Sequence, residues 1–243
     1  MQFRTNIPAP QFPFDINYDS KIMLLGSCFS DNIGSFFYRN RFQVNSNPFG
    51  VLFNPVSIEH AIRMMMRPDS FDQDRYFYKT KDLWVSFAHH GKFSRENFET
   101  FEQNIAEQLQ KASDFFYQTD YLFITFGTAF CYKFIPRDLI VSNCHKIPNY
   151  QFDRIRLDVK KIVSLWNATI QAVKEIRPDI KIIFTVSPVR HLGDGFHENQ
   201  ISKSILHLSV NQLVDNENVF YFPSYEILQD DLRDYRFYAD DLC

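Results

Sequence analysis

Ser27 and Cys28 are the residues whose types and position best suit nucleophilic chemistry in this chain. They follow a short apolar run that ends in a glycine (residues 21–26), and they precede Ser30 and Asp31, either of which could cap a following helix. This pattern predicts a buried strand that turns sharply into a helix. A thiol or hydroxyl at such a turn faces the unpaired N–H groups and the positive dipole end of the helix, which favour a thiolate or a developing oxyanion.

A nucleophile of this kind needs a base within hydrogen-bond reach, and histidines are the first candidates. His191 follows a buried run at residues 180–186, so it is either a site residue or a loop histidine bonded to the backbone. His145 adjoins Cys144, and in an extended segment the two side chains point to opposite faces, so both cannot line one site. The pair at residues 89–90 has the same problem and lacks the spacing of a metal pair, so no metal site is predicted.

Buried strands alternate with long helices along the chain. Apolar runs predict strands at 21–25, 121–126, 139–141, 180–186 and 219–222, with short extended segments between 70 and 93. Helical periodicity predicts helices at 31–41, 55–66, 95–117, 153–176 and 199–214. This alternation predicts a three-layer α/β/α domain with a mainly parallel sheet. Ligands of such sheets bind at the carboxyl edge, which is where the turn before the first helix lies.

Length and composition describe an ordinary globular chain. Its 243 residues contain 45% hydrophobic and 23% charged residues, and no repeat or linker divides them. We therefore expect an irregular N-terminal arm at residues 1–20 and a single domain over residues 21–243. The net charge of −3 indicates neither a nucleic-acid nor a membrane-surface partner.

The cysteines and the N-terminus indicate a cytoplasmic protein. Cys28, Cys131, Cys144 and Cys243 have no C-x-x-C spacing, and four cysteines in a chain of this length do not form a disulfide scaffold. The N-terminus has no apolar segment of signal-peptide length, and no run is long enough to span a membrane. We expect no cofactor, and the oligomeric state is left open.

Several blocks of the chain resemble one protein family. Residues 26–30, Gly-Ser-Cys-Phe-Ser, resemble the motif that names the bacterial GSCFA domain family, with Ser30 in the place of the alanine. Further similar blocks follow in order at 47–55, 87–94, 126–129, 143–146 and 187–191. The family is grouped by similarity with the SGNH/GDSL hydrolases, which are flavodoxin-like α/β enzymes that cleave esters. The resemblance therefore implies an SGNH-hydrolase type of fold and activity.

The resemblance also implies roles for individual residues. Cys28 takes the position of the SGNH nucleophile, and Ser27 replaces the aspartate before it. Gly50 matches the glycine that donates to the oxyanion, so the N–H groups of Cys28 and Gly50 are predicted to form the oxyanion hole.

A second block completes the predicted binding residues. Gly127 and Thr128 match the Gly-x-Asn block, but Ala129 replaces its asparagine and removes a donor worth on the order of 3 kcal/mol in other hydrolases. Asn143 belongs to another matching block, and it is predicted to bind the oxyanion or the substrate together with Gly127 and Thr128.

The base of SGNH enzymes belongs to an Asp-x-x-His pair before the last helix. Residues 240–243 resemble the start of that pair, with Asp241 as its aspartate and the histidine expected at the next position, beyond Cys243. The resemblance therefore predicts a C-terminally truncated domain, in which His191 or His145 is the substitute base.

Two functions remain open at this point. The first is hydrolysis of an ester or acyl bond of a small molecule, glycan or lipid through Cys28 or Ser27. The second is a non-catalytic SGNH-like domain that binds a glycan or acyl ligand in the same cleft, which the replacements at Ser27 and Ala129 favour. A module that exposes aromatic surface is a weaker interpretation of the 27 phenylalanines, since burial explains them.

Overall fold

A computed structural model of the protein describes residues 6–233 and 237. Its strands are β1 Lys21–Gly26, β2 Gln43–Ser46, β3 Phe77–Lys79, β4 Trp84–Ser86, β5 Tyr121–Phe126, β6 Phe130–Phe134, β7 Leu139–Val141, β8 Phe152–Arg156, β9 Lys181–Val186 and β10 Val219–Tyr221. Its α-helices are α1 Cys28–Arg39, α2 Pro55–Met66, α3 Gln73–Tyr76, α4 Phe98–Phe116, α5 Val159–Ile176, α6 Phe196–Leu213 and α7 Ser224–Glu226. A π-helical turn, Ile227–Leu232, follows α7.

Five parallel strands form the central sheet, in the spatial order β10-β9-β5-β1-β2. When these strands are numbered along the chain, the order is that of the flavodoxin-like doubly wound sheets. The strand order reverses between β1 and β5, and ligands of such sheets bind in the crevice outside the carboxyl ends at that point. The predicted three-layer α/β/α fold is therefore confirmed, and the turn after β1 lies beside the crevice.

Helices cover both faces of the sheet. Met23 and its neighbours in register belong to the main core, together with apolar residues of α2, α4, α5 and α6. The opposite face is covered by α1, where the Phe37 ring lies 6.3 Å from that of Phe123. The arm before β1 adds Phe14, whose ring packs edge-on against Phe220 at 5.1 Å. Aromatic residues of the arm therefore contribute to this second layer.

The predicted start of the helix at 153–176 was wrong. Residues 153–156, assigned by periodicity to a long helix, form β8 and pair with β6. The helix begins after Asp158, whose carboxylate accepts a hydrogen bond from the Lys161 N–H at 2.7 Å. Ile155 continues the apolar spacing of α5 backwards, which is why periodicity extended the helix too far. The predicted start of α2 is confirmed, since Asn54 caps the helix and accepts from the Ser57 N–H at 2.9 Å.

Two small antiparallel sheets accompany the central one. β3 pairs with β4, and β6 pairs with both β7 and β8. The three-stranded sheet is inserted between β5 and α5, so it stands beside the carboxyl edge of the central sheet. Within the described part of the chain, no helix has the length and apolar character needed to cross a membrane.

Candidate functional site

The turn after β1 is built around a glycine that no other residue can replace without strain. Gly26 has φ +147°, and a Cβ there would lie 2.3 Å from the carbonyl oxygen of Thr125 on β5. This close approach is reinforced by a hydrogen bond of 2.8 Å from the Ser30 Oγ to the Thr125 Oγ1. The end of β1 therefore lies in close contact with β5. Helix α1 begins two residues later, at Cys28.

Asn47, which follows β2, holds the same turn from the other side. It is 1% exposed, and its Oδ1 accepts from the Gly26 N–H at 2.8 Å. Its Nδ2 donates to the Ser27 carbonyl at 3.3 Å and to the Asp31 Oδ1 at 2.7 Å. Sequence analysis gave Asn47 no role, although it begins the second block that resembles the family. One side chain thus fixes the strand end, the turn and the first turn of α1.

The two nucleophile candidates differ in access. Ser27 occupies the N-cap position, but it is only 1% exposed, and its Oγ has no hydrogen-bond partner among the described residues. Cys28 is half-buried, so part of its surface is accessible. The helix also begins at Cys28 and not at Asp31 as predicted, so the thiol lies within the first turn, where the helix N–H groups lack intrahelical acceptors.

A lysine that sequence analysis missed lies at the same edge of the sheet. Lys203 of α6 is 1% exposed, and its Nζ donates to the carbonyl oxygens of Gly127 and Ser187, each at 2.7 Å. Burial lowers the pKa of Lys203 to about 7, negative charge on Cys28 opposes this shift, and Arg190 adds to it. Lys203 and Cys28 are therefore close enough for each charge to act on the other.

The spacing of α6 contains a signal for this lysine. The buried residues of the helix are Asn199, Ser202, Lys203, Leu206, Ser209, Val210 and Leu213. They recur at intervals of three or four, so Lys203 lies on the core-facing stripe of the helix and not on its solvent face. A lysine on such a stripe is rarely buried without a partner, so its position in the sequence is a signal for a polar site inside the protein.

His191 lies beside this lysine, in the segment that follows β9. Its backbone N–H donates to the Asn199 Oδ1 at 3.0 Å, and its ring meets the Phe53 ring edge-on at 5.5 Å. Burial lowers the pKa of His191, Lys203 lowers it further, and Asp194 opposes the shift. The imidazole is therefore neutral at pH 7 and able to accept a proton.

His145 has a different environment. Its Nε2 lies 2.8 Å from the carbonyl oxygen of Ser86, to which it donates, and this bond ties the ring to the hairpin formed by β3 and β4. Burial lowers the pKa of His145, although the bond to Ser86 opposes the shift. The segment is not extended, since His145 has φ +49° and Lys146 has φ +58°. The argument from opposite strand faces therefore does not apply to Cys144 and His145.

Of the N–H groups expected to stabilise an oxyanion, that of Gly50 is engaged within the protein, as are those of Gly127 and Thr128. Gly50 donates to the Asn47 carbonyl at 2.7 Å, and Gly127 and Thr128 both donate to the Phe53 carbonyl at 2.9 Å. A role for these groups in an oxyanion hole stays a prediction, and it requires the present hydrogen bonds to open.

A cleft of about 380 Å³ opens over this edge of the sheet, within the usual size range of ligand pockets. Thr128, Asn143 and His191 line it, so the structure brings together three of the predicted site residues. The cleft is also lined by Phe53, Asn54, Phe130, Tyr132, Val141, Ser142, Cys144, Arg154 and Asp194. Cys28 and Lys203 are not among its lining residues, but Thr128 is, and the preceding Gly127 accepts a hydrogen bond from Lys203.

An arginine anchors the wall of the cleft that the small sheet provides. The Arg154 guanidinium lies 3.6 Å above the Phe130 ring and pairs with Asp194 at 2.5 Å. The cleft therefore combines aromatic faces with an arginine–aspartate ion pair.

The remaining thiols and Asp241 complete the set of candidates. Burial raises the pKa of Cys131 and of Cys144 to about 11, so both thiols are protonated at neutral pH. Asp241, the predicted partner of a base, lies outside the described residues. Within residues 6–233 and 237, no group of three His, Cys, Asp or Glu residues is placed to hold a metal ion.

The fold and the site define an α/β protein with a thiol at the turn after its first strand, beside the switch point of a flavodoxin-like sheet. The GSCFA family model matches residues 21–243, and the chain belongs to the GSCFA family. No curated protein and no solved structure matches the chain.

Proposed function

We infer that the protein is an SGNH-like hydrolase of ester bonds that uses Cys28 as its nucleophile. The observation that carries this proposal is the position of Cys28 at the first residue of α1, beside the switch point between β1 and β5. Anions are favoured at a helix N-terminus, and ligands of this sheet type bind at the switch point. Ser27 is the second candidate, but its burial to 1% exposure keeps its hydroxyl from a substrate.

The reaction proceeds by acyl transfer in two stages. The Cys28 thiolate attacks the ester carbonyl carbon, a C–S bond forms, and the carbonyl electrons move to the oxygen. N–H groups of the first turn of α1 stabilise that oxyanion. The ester C–O bond then breaks, and the alkoxide leaves with the proton that Cys28 gave to a base when its thiolate formed. Water finally attacks the thioester, and the neutral His191 accepts a proton of that water and passes it to the sulfur as the C–S bond breaks, which restores the thiol.

The cleft supports a substrate with apolar and polar parts. Phe53, Phe130 and Tyr132 provide aromatic faces of the kind that pack against acyl chains or sugar rings, and Arg154 with Asp194 provides an ion pair. These walls suit an ester of a small molecule, a glycan or a lipid. Asp241 remains a proposed orienting partner of a base.

One observation favours a second function, which is binding without catalysis. The side chain at the position of the SGNH asparagine is Ala129, which is 0% exposed, and its N–H donates to the Ser202 Oγ at 2.7 Å. This position therefore offers no donor to an oxyanion. Together with the engaged N–H of Gly50, it supports an SGNH-like domain that binds a glycan or acyl ligand without cleaving it.

Hydrolysis of short p-nitrophenyl esters separates these functions. We expect the wild type to hydrolyse them, and Cys28→Ala to lose at least about 100-fold in kcat/KM, because the nucleophile is removed. Cys131→Ala is the matched control, since this protonated thiol is 1% exposed and lies between the cleft-lining residues Phe130 and Tyr132 on β6, so its side chain points away.

Equal rates in the wild type and Cys28→Ala contradict the proposed nucleophile. Loss of activity in Ser27→Ala alone assigns the reaction to Ser27. Saturable ester binding without turnover by the wild type supports the non-catalytic function instead.

A further inference from the structure

Lys203 is a buried cation whose partners among the described residues are neutral. Its Nζ donates to the carbonyl oxygens of Gly127 and Ser187, and within residues 6–233 and 237 it forms no salt bridge with a carboxylate. Burying a charged ammonium without a counter-ion is costly, and such groups lose their proton or gain an anion. The surroundings of Lys203 therefore favour either the neutral amine or a nearby negative group.

The sheet places that negative group on the same edge. Gly127 follows β5, Ser187 follows β9, and Cys28 follows β1, and these three strands are neighbours in the sheet. Charge on Cys28 is the influence that favours the ammonium form of Lys203, whereas burial and Arg190 disfavour it. Because electrostatic coupling is reciprocal, the ammonium favours the thiolate of Cys28 to the same extent.

We propose that Lys203 is the proton acceptor of Cys28 and holds it as a thiolate in the resting protein. The S–H bond of Cys28 breaks, an N–H bond forms on Nζ, and a thiolate and an ammonium result, so no further reactant is needed. Two carbonyl oxygens accept two of the three ammonium protons, which leaves the third for the sulfur. The proposal rests on the nucleophile role inferred above, but its test requires no substrate.

Other titratable and charged groups act on Cys28 and Lys203 and affect the pH dependence of the pair. Arg190 and His191 face Lys203 from the segment after β9, and His207 faces it from its own helix. Burial lowers the pKa of both histidines, so they are neutral near pH 7, and Arg190 is the remaining cation. Arg190 favours the neutral amine, which lets Lys203 accept the proton of the thiol.

The alternative is that Lys203 only joins the loops after β5 and β9. Alkylation of Cys28 by iodoacetamide distinguishes the two roles, since only the thiolate reacts, and peptide mass spectrometry assigns the label to Cys28. The wild-type rate should titrate with a midpoint well below that of an ordinary thiol, about 8.5.

Variants of Lys203 then identify the cause of that shift. In Lys203→Met we expect alkylation at pH 7 to slow by about tenfold or more, and to return to the wild-type rate near pH 10, where the thiol ionises unaided. Lys203→Gln should behave in the same way, because its amide still donates to a loop carbonyl but accepts no proton. Lys160→Met, at an exposed lysine, is the matched control and should keep the wild-type profile.

The proposal is overturned by a wild-type midpoint at the ordinary thiol value. It is also overturned if the profile of Lys203→Met or that of Lys203→Gln superimposes on the wild-type profile. The wild-type midpoint needs no variant, so it can overturn the proposal even where both variants fail to fold. Superimposed profiles combined with Cys28-dependent ester hydrolysis refute the role of Lys203 and leave the hydrolase intact. Shifted profiles without any ester hydrolysis support the role of Lys203 and refute the hydrolase.

Discussion

Replacing Asn47 by alanine tests how the nucleophile turn is held. The variant loses the hydrogen bond with the Gly26 N–H and the one with the Ser27 carbonyl, each worth about 1 kcal/mol net. It also loses the bond to the Asp31 carboxylate, which is worth about 2 kcal/mol because the acceptor is charged. Asn47 has φ +44°, and an alanine in that left-handed conformation costs about 1 kcal/mol more. The expected loss is therefore about 5 kcal/mol.

The measurement is urea unfolding followed by circular dichroism, with the free energy of unfolding extrapolated to water. Asn45→Ala is the matched control, since Asn45 lies on β2, the strand that Asn47 follows, is half-buried and forms no side-chain hydrogen bond with any described residue. We expect this control to stay within about 0.5 kcal/mol of the wild type.

A loss of about 5 kcal/mol is a large part of the stability of an ordinary domain, so the urea midpoint should fall markedly. If Asn47→Ala lies within about 1 kcal/mol of Asn45→Ala, the hydrogen bonds of Asn47 do not hold the turn. In that case Asn47 does not determine the position of Cys28.

Two further substitutions test the backbone and the buried histidine. Gly26→Ala should lose more than about 2 kcal/mol, because its Cβ meets the Thr125 carbonyl and its φ is +147°. Gly91→Ala, where a Cβ meets nothing within 4 Å, should unfold like the wild type, and equal urea midpoints for the two variants would contradict this account. Burial lowers the pKa of His89 to about 3. Between pH 6.5 and 3 the unfolded chain therefore binds a proton that the folded chain does not. The free energy of unfolding falls by about 1.4 kcal/mol for each unit by which the pH is lowered in this range. His89→Phe should remove that part of the slope in urea unfolding between pH 6.5 and 4.5, whereas parallel slopes would show that His89 does not cause it.

Local patterns were enough to predict the elements that depend on local interactions. The run at Tyr121–Phe126 is uniformly apolar because β5 is central in a parallel sheet and covered on both faces. Asn54 and Pro55 mark the start of α2 because capping depends on the next three residues alone. Ile155 fits the apolar spacing of α5, but it lies on a strand because β8 pairs with β6. Such a pairing is not visible in a helical period.

The candidate site was predictable only where a motif marked it. Cys28 and Ser27 were found because glycine and small polar residues follow an apolar run. Asn47 and Lys203 were not found, because they act on residues 21 and 76 positions away in the chain. Lys203 is a charged residue at a position where the helical pattern favours an apolar one, and such conflicts concentrate at functional sites. A lysine on the core stripe of a helix is therefore a stronger indication of a site than any single histidine in this chain.

The environment of each described thiol explains why only one of them suits catalysis. Cys131 and Cys144 are surrounded by apolar groups, and burial raises the pKa of each to about 11. Cys28 lies instead at a helix N-terminus, within electrostatic reach of Lys203, and both features favour its anion. The ammonium form of the lysine in turn is favoured by the thiolate, because its other partners are neutral carbonyl groups. Cys28 and Lys203 therefore compensate each other's burial, and removing either one leaves the other in a site that disfavours its charge.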